Sequence, residues 1–110
     1  MTAVVAEMMD SIGRAAVEAA EVLALADTDR KNAALASAAK SLRARAGEIL
    51  AANVRDVDVA TAAGLGGAML DRLRLDAARV EAMAVGVEQI AALADPVGTV
   101  AADWVRPNGL

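Results

Sequence analysis

Apolar residues recur at intervals of three and four along most of this chain, and that spacing predicts helices. The pattern is clearest near the start, where the apolar stripe contains Val4, Met8, Ile12, Ala15, Ala19, Val22 and Ala26. A charged stripe with the same rhythm contains Glu7, Asp10, Arg14, Glu18 and Glu21. We therefore expect one long amphipathic helix with a packed apolar face and a solvated charged face.

Several breaks divide the rest of the helical pattern into segments. At ADTD, Asp27 or Thr28 can accept a backbone N–H and begin a second helix. The stripe then continues as two helices or as one bent helix, with Gly47 as the junction. The pattern fades after Val54, and Gly64 suits the left-handed residue that often follows a helix end. The residues expected in the core include Leu42, Ile49, Val87 and Ile90.

The last helical elements lie between Gly67 and Ala94. A short helical turn covers GAMLDRL, and Asp76 can cap a further helix whose apolar residues keep the three-four spacing. The sequence therefore predicts a mainly α chain, in which residues 1–94 form a helical segment.

Residues 95–110 have a different pattern, typical of turns and strands. Asp95-Pro96-Val97-Gly98 favours a type I turn with Asp at its first position, and residues 99–106 alternate as a strand does. Pro107-Asn108-Gly109 then predicts a hairpin turn, after which only Leu110 follows. Because a lone strand needs a hydrogen-bonding partner, we expect the single strand to pair outside this chain.

Composition excludes several classes of function. The 110 residues amount to one domain, and they contain neither Cys nor His, so thiolate nucleophiles, imidazole bases and the usual zinc sites are excluded. The net charge of −4 argues against nucleic-acid binding. The longest uncharged run, VATAAGLGGAML, is shorter than a membrane span, and the start has no basic leader region. We expect a cytoplasmic protein with no membrane or nucleic-acid partner.

Two groups of residues superficially resemble ligand sites. Gly64-Leu65-Gly66-Gly67 is a glycine cluster, but a helix precedes it and the spacing fits neither a dinucleotide fingerprint nor a Walker loop, so a helix stop is favoured. Lys40, Arg43 and Arg45 could attract an anion, but basic residues near a helix end are also what the helix dipole favours. We interpret this basic group as a solvated face.

Two further features are ambiguous by themselves. Asp56 and Asp58 point away from each other if they lie on a helix, which indicates surface residues rather than a catalytic pair. Trp104 is the only aromatic residue, and it either anchors a partner or covers part of a core. No catalytic, cofactor-binding or metal-binding residue is assigned in this chain.

The succession ILAANVRDV, AAGLGGAMLDRLRLDAARVEAMAVGVEQIAALADPVG and WVRPNGL resembles the amino-terminal portion of the gamma-glutamyl phosphate reductase family, also called glutamate-5-semialdehyde dehydrogenases. The resemblance covers essentially the whole chain. Its most specific parts are Ala52-Asn53 with Asp56, Asp71-Arg72-Leu73 with Leu75, Arg79, Asp95-Pro96-Val97-Gly98, and Arg106-Pro107-Asn108-Gly109-Leu110.

The resemblance implies a longer α/β protein of the aldehyde dehydrogenase superfamily, with a nucleotide-binding domain, a catalytic domain and a small β-extension for oligomerisation. Residues 1–94 would then pack on the nucleotide-binding domain, and residues 95–110 would supply a turn, a strand and the first half of a β-hairpin in that extension. The chain would be a terminal portion that ends at the hairpin tip.

The activity that the resemblance implies is NADPH-dependent reduction of L-glutamate 5-phosphate to the 5-semialdehyde in proline biosynthesis, through a cysteine that this chain lacks. The chain alone would be inactive and bind no cofactor. Its partners would be the rest of the polypeptide and, in the whole protein, a small-molecule substrate and further copies in a homo-oligomer. The alternative is a free-standing helical interaction module without enzymatic activity.

Overall fold

The computed structural model of the protein describes residues 2–110, and within that range it contains five helices and no strand. They are α1 (Thr2–Ala24), α2 (Thr28–Ala44), α3 (Ala46–Ala62), α4 (Gly67–Leu73) and α5 (Ala77–Ala91). The mainly α fold class is therefore confirmed. Met1, which belongs to the predicted helical segment 1–94, lies outside the described residues.

The helix boundaries follow from local capping chemistry. The carboxylate of Asp27 accepts a hydrogen bond from the Arg30 N–H at 2.7 Å, and Asp76 accepts one from the Arg79 N–H at 2.7 Å. Each bond satisfies an N–H group that the first helical turn leaves free. Of the two caps predicted for α2, Asp27 is therefore the one used. Asp76 caps α5 as predicted.

A glycine ends α3 in the predicted way. Gly64 has a φ of +80°, and its N–H donates to the Thr61 carbonyl at 3.0 Å. The next N–H, from Leu65, donates to the Ala60 carbonyl at 3.0 Å. These two bonds form a Schellman motif, which requires a left-handed residue at the position of Gly64.

One detail of the α2–α3 region differs from the prediction. The junction lies at Arg45, with φ −105° and ψ 16°, and Gly47 lies inside the first turn of α3. Although the periodicity fades after Val54, the helix continues to Ala62, as the predicted stop at Gly64 requires. Val57 and Ala60 remain half-buried, so a weak inward stripe persists through this turn of the helix.

The core lies where α2 packs on α5. Ala39, Val80 and Ala84 have 1%, 1% and 0% of their surface exposed. Two of these three residues are alanines, so the helix backbones can approach closely. The predicted core residues Leu42, Ile49 and Val87 are half-buried, whereas Ile90 is 56% exposed and does not belong to the core of the described chain.

Helix α1 extends away from this core. None of its residues is buried, and the members of its apolar stripe remain exposed, including Val4, Met8, Ile12 and Val22. Within the described residues the other helices do not cover α1, so the expected packing of its apolar face is not seen there. The periodicity correctly predicted the helix and its two faces but carried no information about what lies against them.

The strand predicted for residues 99–106 is not formed. In the part of the chain that the structure describes, the backbone groups of residues 100–105 make no hydrogen bond to another backbone group. The physical reason is that no second segment lies beside them, and a strand is defined by its pairing. Trp104, on this segment, is 72% exposed.

Turns are nevertheless present at both ends of this segment. The first turn begins at Pro96, one residue later than predicted. Its hydrogen bond runs from the Thr99 N–H to the Pro96 carbonyl at 3.2 Å, and its third residue, Gly98, has a φ of +81°. A positive φ at the third residue is typical of a type II turn, so the type I assignment starting at Asp95 is wrong.

The turn predicted at the chain end is formed, although no strand leads into it within the described residues. The Gly109 N–H donates to the Arg106 carbonyl at 2.9 Å, and the Arg106 N–H donates to the Leu110 carbonyl at 2.7 Å. Gly109 has a φ of +81°. A left-handed glycine after a tight turn is also found in three-residue hairpin loops.

Candidate functional site

Three clusters of polar side chains connect the helices, and each depends on contacts between residues that are distant in sequence. The first surrounds the connection between α4 and α5, which we call the α4–α5 corner (residues 71–79). Asn53 of α3 is only 8% exposed and makes two hydrogen bonds to it. Its Nδ2 donates to the Leu73 carbonyl at 2.8 Å, and its Oδ1 accepts from the Leu75 N–H at 2.7 Å.

Arg79 holds the same corner from the side of α5. Its guanidinium donates to the carbonyl of Asp71, to the carbonyl of Arg74 at 2.5 Å and to the Asp71 carboxylate at 3.3 Å. The two carbonyls belong to the end of α4, where the last carbonyl groups lack partners within the helix. Asn53 and Arg79 therefore satisfy the backbone groups of one short connection from two sides.

The second cluster is an ionic clamp between α2 and α5. Arg43 contacts Glu81 at 2.8 Å and Glu88 at 2.5 Å, so one guanidinium joins two carboxylates that lie two helical turns apart. The hydrogen bonds raise the pKa of Arg43 and lower the pKa of both glutamates. All three side chains are substantially exposed, so solvent weakens this clamp.

The third cluster is centred on Asp95, just after α5. Its Oδ2 lies 2.5 Å from Lys31 Nζ and accepts a hydrogen bond from the Thr28 hydroxyl at 2.9 Å, while its Oδ1 accepts from the Val97 N–H at 3.0 Å. The Lys31 contact, followed by the Val97 and Thr28 hydrogen bonds, lowers the pKa of Asp95 to about 2. With 16% of its side chain exposed, Asp95 is the most buried acidic partner among the ion pairs of the described residues.

The sequence-predicted ligand-like groups have structural roles in this fold. Gly64 forms the helix stop described above, and Gly66 precedes the short helix α4. The basic group does not converge on one point, because Arg43 binds the two glutamates of α5 while Arg45 pairs with Glu48 at 2.8 Å on its own helix. Lys40 is exposed. The prediction of a solvated face missed the role of Arg43 between helices.

The remaining candidates lie at the surface. Asp56 and Asp58 are both exposed on α3, as predicted. Across residues 2–110, no group of three or more acidic, Cys or His side chains is arranged to hold a metal ion. None of the described helices is both long enough and apolar enough to cross a bilayer.

Sequence reasoning identified Asn53 only through the family resemblance, although a local signal was present. Asn53 lies on the inward stripe of α3, between Leu50 and Val57, where an amide among apolar neighbours indicates a buried hydrogen-bonding role. Arg43 and Asp95 offered no comparable signal. Their partners on other elements lie far away in sequence, 45 residues for Glu88 and 67 residues for Thr28.

Many of the exposed apolar side chains lie on the two parts that project from the core. These are the apolar stripe of α1 and the segment 97–110, which carries Val97, Val100, Trp104, Val105 and Leu110. Exposed apolar surface of this extent is typical of a contact with another protein surface. These exposed apolar residues are the candidate functional surface of the described chain.

Comparisons with known proteins identify close relatives. The chain is 53% identical over 103 residues to the gamma-glutamyl phosphate reductase of Methylocella silvestris, a match that covers 94% of this chain and 24% of the relative. It is 55% identical over 103 residues to that of Rhodospirillum rubrum, with the same coverage. The chain thus spans about a quarter of the length of these relatives. No protein-family profile matches it.

A solved structure agrees with the sequence comparison. The crystal structure of gamma-glutamyl phosphate reductase from Thermotoga maritima superimposes with a TM-score of 0.76 and 41% identity. The match covers 84% of this chain and 22% of that one. In sequence and in fold, the chain corresponds to the amino-terminal portion of gamma-glutamyl phosphate reductase.

Proposed function

We propose that this chain, as the counterpart of the amino-terminal portion of gamma-glutamyl phosphate reductase, is a structural part of such an enzyme. The observation that carries the proposal is the identity of 53% along 94% of the chain, combined with coverage of only 24% of the relative. The exposed apolar surfaces of α1 and of segment 97–110 support it, because a larger protein offers partners for both.

The whole enzyme would reduce L-glutamate 5-phosphate to L-glutamate 5-semialdehyde with NADPH, in proline biosynthesis in the cytoplasm. It would have an aldehyde dehydrogenase-like α/β architecture and form a homo-oligomer. Residues 1–94 would pack on its nucleotide-binding domain. Residues 95–110 would enter its β-extension, where segment 99–106 would gain the strand partner that it lacks here.

The residues of this chain do not fit a nicotinamide dinucleotide site. The glycine cluster follows a helix rather than a strand, and its first glycine forms the Schellman motif at the end of α3. The nucleophile and the cofactor-binding groups would therefore come from other parts of the enzyme. This chain would contribute the packed α2–α5 core and two projecting surfaces.

A chimera tests this proposal. The matched portion of the Methylocella silvestris reductase is replaced by these 110 residues, and NADPH oxidation is measured with L-glutamate 5-phosphate as substrate. We expect activity close to that of the parent enzyme. A chimera carrying an unrelated helical bundle of the same length serves as control and should be insoluble or inactive. A soluble but inactive chimera with this chain would contradict the proposal.

The 110-residue chain alone supplies the second measurement. Titration with NADPH should give no saturable binding. Saturable binding at micromolar concentration would contradict the structural role. A free-standing interaction module also predicts no binding, but it predicts that the chimera fails, so the two experiments together separate the alternatives.

A further inference from the structure

Both projecting parts of the molecule leave the helical core at the same corner. Helix α1 ends at Ala24 and is followed within four residues by the first turn of α2. The segment 96–110, which we call the terminal arm, leaves after α5. The point where it leaves lies against that same first turn, because Asp95 contacts Thr28 and Lys31.

The contacts of Asp95 extend in two directions. One carboxylate oxygen binds the start of α2, through the Lys31 ammonium at 2.5 Å and the Thr28 hydroxyl at 2.9 Å. The other oxygen accepts the Val97 N–H at 3.0 Å, which lies within the arm itself. A single side chain therefore connects the arm backbone to α2. Contacts of this kind, with an ionised acceptor and little exposure, are the stronger class of hydrogen bond.

The surroundings of Asp95 reinforce this connection. Pro96 lines a groove together with Leu35 of α2 and Ile90 of α5, so the first arm residue lies close to both core helices. Pro96 has a restricted φ, and it also restricts the conformation of the residue before it. Beyond Gly98, the arm makes no backbone hydrogen bond to the helices of the described chain.

From this geometry we propose that Asp95 is a positioning residue that fixes the direction in which the terminal arm leaves the core. The carboxylate binds the arm to the first turn of α2, next to the short connection between α1 and α2. The orientation of the arm is thereby set relative to the α2–α5 core before the arm meets any partner. This assignment concerns residues within the chain and does not depend on the proposed reductase activity.

Fluorescence energy transfer within the 110-residue chain tests the assignment. Trp104 is the only aromatic residue, so it is the sole donor, and the chain contains no cysteine. A Ser37→Cys substitution on the exposed side of α2 therefore attaches a thiol-reactive acceptor at one position. Time-resolved transfer reports the distribution of distances between the arm and α2.

We expect the distance distribution of the parent chain to be narrower than that of the variants in which the contact between Asp95 and Lys31 is removed. Asp95→Asn keeps an oxygen for the Val97 N–H but removes the charge that binds Lys31, so it should broaden the distribution. Lys31→Gln should broaden it to a similar extent, and the double variant should show little further change because both substitutions remove the same contact. Asp103→Asn, an equal charge change at an exposed position of the arm, should leave the distribution unchanged.

The outcome is judged only in variants that keep the parent helical circular dichroism. A residue that merely stabilised the fold would lower the melting temperature without changing the distance distribution of the folded state. If Asp95→Asn fails to fold, Lys31→Gln provides the test from the other side of the contact. A distance distribution in the folded variants that is unchanged from the parent chain would overturn the proposal and leave Pro96 and its turn as the determinants of arm direction.

Discussion

Asn53 is the buried polar side chain on which the α4–α5 corner depends. Substituting leucine would fill a similar volume but leave the Leu75 N–H and the Leu73 carbonyl without their partner. Each unsatisfied buried group costs about 1–3 kcal/mol, so we expect Asn53→Leu to lower the free energy of unfolding by at least about 2 kcal/mol. The free energy of unfolding is measured by urea denaturation with circular dichroism as the signal.

The matched control for Asn53→Leu is Asp58→Leu, an exposed position on the same helix. It should change stability by less than about 0.5 kcal/mol, as is usual for surface sites. Equal losses in the two variants would show that the hydrogen bonds of Asn53 do not hold the corner.

Asp95 makes stability depend on pH in a defined window. Its pKa falls from an ordinary value of 3.8 to about 2 in the folded chain, chiefly because of Lys31. A carboxyl group with a depressed folded pKa contributes its full stabilisation above the ordinary value and loses it as the pH falls through the folded value. We therefore expect the urea midpoint to decrease between about pH 4 and about pH 2.

Asp95→Asn should make stability depend less on pH between about pH 4 and about pH 2, because it removes the contribution of Asp95. Glu48, Glu81 and Glu88 also have lowered pKa values, and their contribution should remain in the variant. Asp103→Asn serves as the control and should retain the full slope. An identical slope in Asp95→Asn and the parent chain would exclude Asp95 as a contributor.

At the scale of the elements, the contact between α2 and α5 relies on small side chains. Ala84 is fully buried against α2, so Ala84→Leu should force the helices apart. Overpacking of this kind costs about 1–3 kcal/mol. Ala82→Leu places the same side chain on an exposed face of α5 and should have little effect. Thermal unfolding of the two variants compares them directly, and similar melting temperatures would contradict the assigned helix faces.

The elements also show how far sequence reasoning extends. Asp27, Asp76, Gly64 and the hairpin tip were predictable, because each depends on bonds within a few residues. Which helix faces are buried could not be predicted from bonds between residues close in sequence. Ile90 shares its periodicity with buried residues, yet it lies near the end of α5, where the described chain provides little cover.

The contacts between helices could not be predicted from local sequence patterns. Arg43 was correctly placed on a helix, but its two partners are 38 and 45 residues away and look like ordinary surface glutamates in sequence. The strand over residues 99–106 failed for the opposite reason. Its alternating pattern is genuine, but pairing requires a second segment, and the described residues contain none beside it.

At the scale of the whole molecule, Trp104 reports whether the terminal arm is covered. It is 72% exposed, so the 110-residue chain should show red-shifted emission that iodide quenches readily. In a longer chain, continued with the sequence that follows the matched portion of the Methylocella silvestris reductase, the emission should shift to the blue and resist quenching. A buried Trp104 in the 110-residue chain, unfolding together with the helices, would contradict the proposed role of the arm.

The exposure of α1 predicts which part of this molecule unfolds first. Because α1 buries none of its residues, it lacks the tertiary packing of an apolar face from which most helices in proteins gain their stability. The chain should therefore behave as two cooperative units. Amide hydrogens of α1 should exchange with deuterium far faster than those of α2 and α5 around Ala39 and Ala84. Equal exchange rates would mean that contacts with the core stabilise α1.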